Sequence, residues 1–170
     1  MQFDLSHIRK AEDHFERTFR PADLPQDGEA YRVLESVHLA FVVQKDKARF
    51  RLVGTVRTGL ELECSRCLEA FRMPVDAAFD QRYMPRSEAS DDAEAEVAAD
   101  DLATSYYEDE QIDLNELLRE QFYLVLPMKP LCAEDCKGLC PHCGTNLNAA
   151  TCACAPAWED PRLAPLKKLM

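Results

Sequence analysis

Residues 31–64, YRVLESVHLAFVVQKDKARFRLVGTVRTGLELEC, carry the pattern that decides the fold. Apolar side chains recur there at every second position: Val33, Val37, Leu39, Phe41 and Val43, then Phe50, Leu52 and Val56, then Leu60, Leu62 and Cys64. A period of two lines one face of a β-strand, so the stretch predicts successive strands, with polar breaks at QKDK and around Gly59. The alternation resumes at Phe71, Met73, Val75, Ala77, Phe79 and Tyr83. An antiparallel meander or partial barrel with one buried face is the expected product.

On the N-terminal side, Leu5, Ile8, Phe15 and Phe19 fall at helix-like intervals and Ser6 can cap a first turn, which predicts a helix over about 6–19. On the C-terminal side, residues 86–101, RSEASDDAEAEVAADD, hold many acids and one bulky aliphatic. Such a segment cannot bury enough apolar surface to offset the entropy of ordering, and a mobile loop is expected. Asp113 with Glu116 then forms a capping-box-like start, and Leu114, Leu117, Leu118, Phe122 and Val125 make an apolar stripe before Pro127, predicting a helix over 113–125. A short terminal helix is predicted in DPRLAPLKKL, with Asp160 as cap and Pro161 at the first helical position. The expected class is α+β: a β-rich core domain over 1–130 and a cysteine-rich tail over 131–170.

The first fifteen residues lack an apolar run with a cleavage site, and the greasiest stretches, LAFVV and FYLVLPM, are too short to span a bilayer. A cytoplasmic setting is therefore expected, where thiols stay reduced and paired cysteines point to metal or redox chemistry. The net charge of −11 is unevenly distributed, with 2 basic against 13 acidic residues in 84–126 and near balance on either side. Nonspecific grip on a phosphate backbone is disfavoured by that balance. Lys45, Lys47, Arg49, Arg51 and Arg57 lie close in sequence and are read as solvent-facing strand residues mixed with acids.

Six of the eight cysteines lie in LCAEDCKGLCPHCGTNLNAATCAC, at 132, 136, 140, 143, 152 and 154, and the other two form CSRC at 64 and 67. In Cys140-Pro-His-Cys143-Gly144, two intervening residues let both sulfurs face one ion, and the glycine lets the backbone turn its amides toward them. The preferred partition has two zinc sites, Cys64, Cys67, Cys132 and Cys136 joining sheet to tail, and Cys140, Cys143, Cys152 and Cys154 folding the tail. One zinc on Cys136, Cys140, Cys143 and a downstream cysteine is the rival layout, and Cys64 and Cys67 as plain buried thiols is a further alternative. His142 is read as exposed, and His7, His14 and His38 lack partners at ligand spacing. Sites of four thiolates leave no position for water, so they are read as structural and no catalytic residue is assigned.

The elements CSRCLEAF, IDLNELLREQFYLVLPMKPLC, DCKGLCPHCGTNLN, the closing CAC and DPRLAPLKKL resemble the YceD family of large ribosomal RNA subunit accumulation proteins, over about 55–83 and 111–170. The resemblance implies a non-enzymatic, β-rich factor needed for accumulation of 23S ribosomal RNA, acting in ribosome biogenesis or rRNA processing. The implied partners are a ribosomal RNA precursor or a ribosome-assembly protein, with no membrane. A zinc-thiolate redox sensor and a protein–protein scaffold module are the competing readings.

Overall fold

The computed structural model describes residues 1–26, 28–88 and 104–154. The chain folds as two compact units, one from Met1–Leu62 with Arg72–Met128 and one from Glu63–Phe71 with Lys129–Met170. Strands β1 (Gln2–Asp4), β2 (Glu12–Phe19), β3 (Arg32–Val33), β4 (Val37–Asp46), β5 (Arg49–Glu63), β6 (Ala70–Pro85), β7 (Thr104–Tyr107) and β8 (Gln111–Asp113) precede helix α1 (Leu114–Val125). Six strands make one sheet in the order β2-β4-β5-β6-β7, with β3 beside β5, while β1 and β8 pair separately.

Alternation places Val37, Leu39, Phe41 and Val43 of β4 and Phe50, Leu52, Val56, Leu60 and Leu62 of β5 in the core of the first unit. The two strands pair antiparallel from His38↔Arg57 to Asp46↔Arg49, so QKDK ends in a tight two-residue turn at Lys47 and Ala48. Gly54 stands opposite Phe41, where a Cβ would lie 2.2 Å from the Ala40 carbonyl oxygen. The Phe41 Cα and Cβ also lie within 3 Å of that position, so glycine is what lets the two strands approach here, and the Phe41 ring packs 5.4 Å from Phe3 and 5.6 Å from Phe15. Ion pairs Arg51–Asp80 and Arg57–Asp76 link β5 to β6 in opposite chain directions, as antiparallel neighbours require.

Four expectations need correction. The segment expected as a helix over 6–19 contains strand β2, with Phe15 opposite Phe41 and Phe19 opposite Val37 on β4. A spacing of four residues fits one helical turn and also two strand repeats, and strand pairing beside β4 decides between them here. No chain break occurs at Gly59, because β5 runs through it and changes neighbour from β4 to β3, with Leu60 opposite Val33. The sheet is not wholly antiparallel, since β7 joins β6 in parallel, Tyr83 opposite Ser105. Among the described residues α1 is the single α-helix, beside two short 3-10 turns at Pro21–Asp23 and Arg86–Glu88, rather than several helices. The terminal helix of 160–169 and nearly all of the acidic segment lie outside the described residues.

Helix α1 follows its sequence signals. The Asp113 carboxylate accepts from the Asn115 amide at 2.9 Å, filling one of the unpaired donors of the first turn. Leu114, Leu117, Leu118 and Phe122 are buried along one stripe, and Phe122 meets the edge of Tyr31 at 5.3 Å. Among the described residues no helix is long and apolar enough to cross a membrane.

Candidate metal centre

Two turns of the second unit share one backbone design. After β5, the Leu68 amide donates to the Cys64 carbonyl at 2.9 Å and the Cys64 amide donates to the Glu69 carbonyl at 2.9 Å. In the tail, the Gly144 amide donates to the Cys140 carbonyl at 2.9 Å and the Cys140 amide donates to the Thr145 carbonyl at 2.8 Å. The residue after the second cysteine is left-handed in both, φ 60° at Leu68 and 73° at Gly144. Glycine adopts that conformation freely, whereas leucine does so at a cost of about 1–2 kcal/mol. CSRCL is thus the same knuckle as CPHCG, hidden in the sequence by a leucine where glycine is the usual signal.

The sulfurs gather in two sets, Cys64, Cys67, Cys132 and Cys136, and Cys140, Cys143, Cys152 and Cys154, each set lying within 4.8 Å of one another. Cys136 therefore stands with Cys64, not with Cys140 as the single-zinc layout has it. In the first set Cys64 and Cys136 are 3.8 Å apart and Cys67 and Cys132 are 3.6 Å apart. A tetrahedral zinc with bonds of about 2.3 Å needs sulfur pairs about 3.8 Å apart, whereas a disulfide needs about 2.05 Å. The donor set and its spacing fit a four-thiolate ion. Cys64, Cys67 and Cys136 are buried and packed by Phe71, Leu131 and Leu139; Cys143 and Cys154 of the second set are exposed.

Surrounding donors bias four of the eight thiols toward the form a metal requires. Backbone amides, foremost that of Cys67, lower the Cys64 thiol to about 6 against the opposing effect of burial. The Thr145 hydroxyl and amide lower Cys143 to about 6. Cys136 is lowered first by the Asn148 side-chain amide, 3.2 Å from its sulfur, and Cys140 by the Cys143 and His142 amides. The other four move the opposite way. Neighbouring sulfurs push Cys132 and Cys154 up to about 12. At Cys67 the Glu69 amide favours the thiolate but burial and adjoining thiols outweigh it, and at Cys152 the Cys154 amide is outweighed in the same way. Four sulfurs so close cannot all ionise beside one another unless a cation neutralises them.

Several supporting residues escape sequence reasoning. Arg66 donates to the carbonyls of Cys136 at 2.8 Å and Glu134 at 3.3 Å, tying the first knuckle to the tail. Asn148 also accepts from the Lys137 amide at 2.8 Å, and Asn146 donates to Glu69 at 2.8 Å. The asparagine-rich TNLN directly after the second knuckle is the signal that could have found the last two. His142 is exposed inside its knuckle.

The chain matches the family model described as large ribosomal RNA subunit accumulation protein YceD over residues 52–170. It is 30% identical over 148 residues, 74% of this chain and 50% of the relative, to a maize protein named large ribosomal RNA subunit accumulation protein YCED homolog 1, chloroplastic. An Arabidopsis thaliana protein of the same name is 27% identical over 154 residues, 78% of this chain and 48% of that protein. An uncharacterized Mycobacterium tuberculosis protein is 34% identical over 123 residues, 70% of this chain and 55% of its own length. The chain spans about half the length of the curated relatives it matches. No solved structure matches it.

Proposed function

This chain belongs to the YceD family, and from that premise we propose that it is a non-enzymatic, zinc-binding factor that supports the accumulation of 23S ribosomal RNA during large-subunit assembly. The observation that carries the zinc reading is the pair of four-sulfur sets on matching knuckles, each within 4.8 Å and the first with the 3.6 and 3.8 Å separations of a tetrahedral ion. Two ions per chain are proposed, on Cys64, Cys67, Cys132 and Cys136 and on Cys140, Cys143, Cys152 and Cys154. Closed four-thiolate sites suit a structural role, because no coordination position is left for water or substrate. The names of the maize and Arabidopsis relatives support the ribosomal RNA reading.

Contact through an assembly protein is favoured over direct grip on RNA. Arg49, Arg51 and Arg57, the core of the basic run, pair with Glu88, Asp80 and Asp76 respectively. Lys45 donates to the Ile8 carbonyl at 3.0 Å and lies over the Phe50 ring. Cations already neutralised by neighbours release few counterions on meeting a phosphate backbone. Depleting the protein and measuring the ratio of large- to small-subunit ribosomal RNA tests the function, with a fall in that ratio expected and an unchanged ratio overturning it.

A further inference from the structure

Strand β2 is an open edge of the six-stranded sheet. It pairs with β4 on one side, from Glu12↔Gln44 to Phe19↔Val37, and among the described residues no strand pairs with its other side. Eight residues make a long edge, and the unpaired amides and carbonyls of such an edge template the addition of another strand. The register fixes which groups point outward. The Lys45 amide donates to the Ala11 carbonyl at 2.9 Å, one step beyond the first pair of the ladder. Bonded and non-bonded pairs alternate along an antiparallel ladder, so Asp13, Phe15, Arg17 and Phe19 turn their N–H and C=O groups toward β4. Glu12, His14, Glu16 and Thr18 turn theirs to the open side, where no described residue meets them.

A further antiparallel strand can add there only in a register that sets its own outward residues against these four. For a second copy of β2, the register centred on Phe15 meets that condition: Glu12 faces Thr18, Asp13 faces Arg17, His14 faces Glu16, and Phe15 faces itself. Opposite charges placed directly across an antiparallel pair stabilise it, and like charges destabilise it. Asp13, Glu16 and Arg17 have no ion pair within their own chain among the described residues, so their charges are free to pair across the edge. Sliding to the next permitted register one way sets Glu12 against Glu16 and His14 against itself; sliding the other way sets Glu16 against itself. Charges placed only to blunt an edge would repel a copy in every register, whereas these are complementary in one. Phe15 adds an apolar signal, for it is half-buried while Phe3 and Phe41, 4.9 and 5.6 Å from its ring, are buried. A facing Phe15 would cover the surface it leaves open.

We propose that two copies of this chain pair antiparallel through β2 about a two-fold axis at Phe15, joining their sheets, with Asp13 of each copy facing Arg17 of the other. Each cross-axis pair then occurs twice, as a self-complementary interface requires. The pairing rests on neither the zinc nor the ribosomal RNA reading, so its failure would leave metal content and the ribosomal RNA ratio unaffected.

Sedimentation equilibrium of the zinc-loaded full chain tests it, and the wild type should pass from monomer to dimer between about 10 μM and about 1 mM. Arg17→Asp sets Asp13 against a second aspartate, and Asp13→Arg sets Arg17 against a second arginine. Each should raise the dimer dissociation constant about tenfold or more, because the axis repeats every lost pair. Two arrangements should restore dimerisation. One is the double variant Asp13→Arg with Arg17→Asp, which exchanges the charges. The other is an equimolar mixture of the two single variants, in which each aspartate again meets an arginine. A wild type that stays monomeric throughout overturns the proposal and leaves the edge to a strand of another protein. A rise below about tenfold in either single variant, or failure of the exchange or of the mixture to restore dimerisation, overturns it equally.

Discussion

Replacing one sulfur in each set tests the proposal of two metal sites. The structure assigns four thiols to each set, so the intact chain should hold two zinc ions. Cys64→Ser leaves three sulfurs in the first set and four in the second, and Cys140→Ser the reverse; each should hold one ion, and the double variant none. Zinc at one hundred times its dissociation constant stabilises the folded form by about 2.7 kcal/mol per site, so each single variant should forfeit about that much of the metal-dependent stability. Elemental analysis gives the stoichiometry, and cobalt substitution reports whether the surviving site keeps four sulfurs. Hydrogen exchange localises the damage: Cys64→Ser should expose 63–71 and 129–139, whereas Cys140→Ser should expose 139–154. One ion in the intact chain, loss of both ions from either single variant, or identical exchange profiles would refute the two-set reasoning.

Leu68→Gly should stabilise the second unit by up to about 1 kcal/mol, because relief of the left-handed strain exceeds the added chain entropy and Leu68 is already exposed. Chemical denaturation of the zinc-loaded chain checks this, and a loss above about 1 kcal/mol would contradict it. Asp113 ties α1 to acid stability. Burial would raise its carboxyl, but the Met1 ammonium and the Asn115 amide outweigh burial and hold it below 3.8. Its contribution is therefore fully present above that ordinary value and is lost as pH falls through the lowered one. Asp113→Ala should cost about 1 kcal/mol at neutral pH and flatten the acid limb of the stability profile, as read by thermal denaturation from pH 2 to 7.

How far residues disclose structure depends on how local the deciding interaction is. Strand β4 is legible because Val37, Leu39, Phe41 and Val43 alternate strictly and period two has one physical meaning over that length, whereas the continuation of β5 through Gly59 is not. The start of α1 is legible because the cap acts within three residues of Asp113. Phe15 and Phe19 mislead because their spacing satisfies both periods, and pairing with the distant β4 decides. The parallel placement of β7 has no sequence signal at all, since it follows a long segment whose composition says nothing about direction. At the candidate metal centre the spacings mark the pairs Cys64 with Cys67, Cys132 with Cys136, Cys140 with Cys143 and Cys152 with Cys154, while which pairs gather is read from the sulfur positions. The spacings do not disclose that CSRCL and CPHCG are one backbone motif, because that identity lives in hydrogen bonds and a dihedral angle.

The first sulfur set brings together Cys67 and Cys132, 65 positions apart in the chain. An ion held there staples the beginning of the intervening chain to its end, a constraint worth roughly 4 kcal/mol by cross-link estimates. It also imposes a schedule on biosynthesis. As the polypeptide emerges N-terminus first, an ion could gather all four sulfurs of this set only once Cys136 has left the exit tunnel, whereas the second set is drawn from the short stretch 140–154. An ion on all four of these sulfurs would require that the whole intervening segment has been delivered, whereas one on the second set would not.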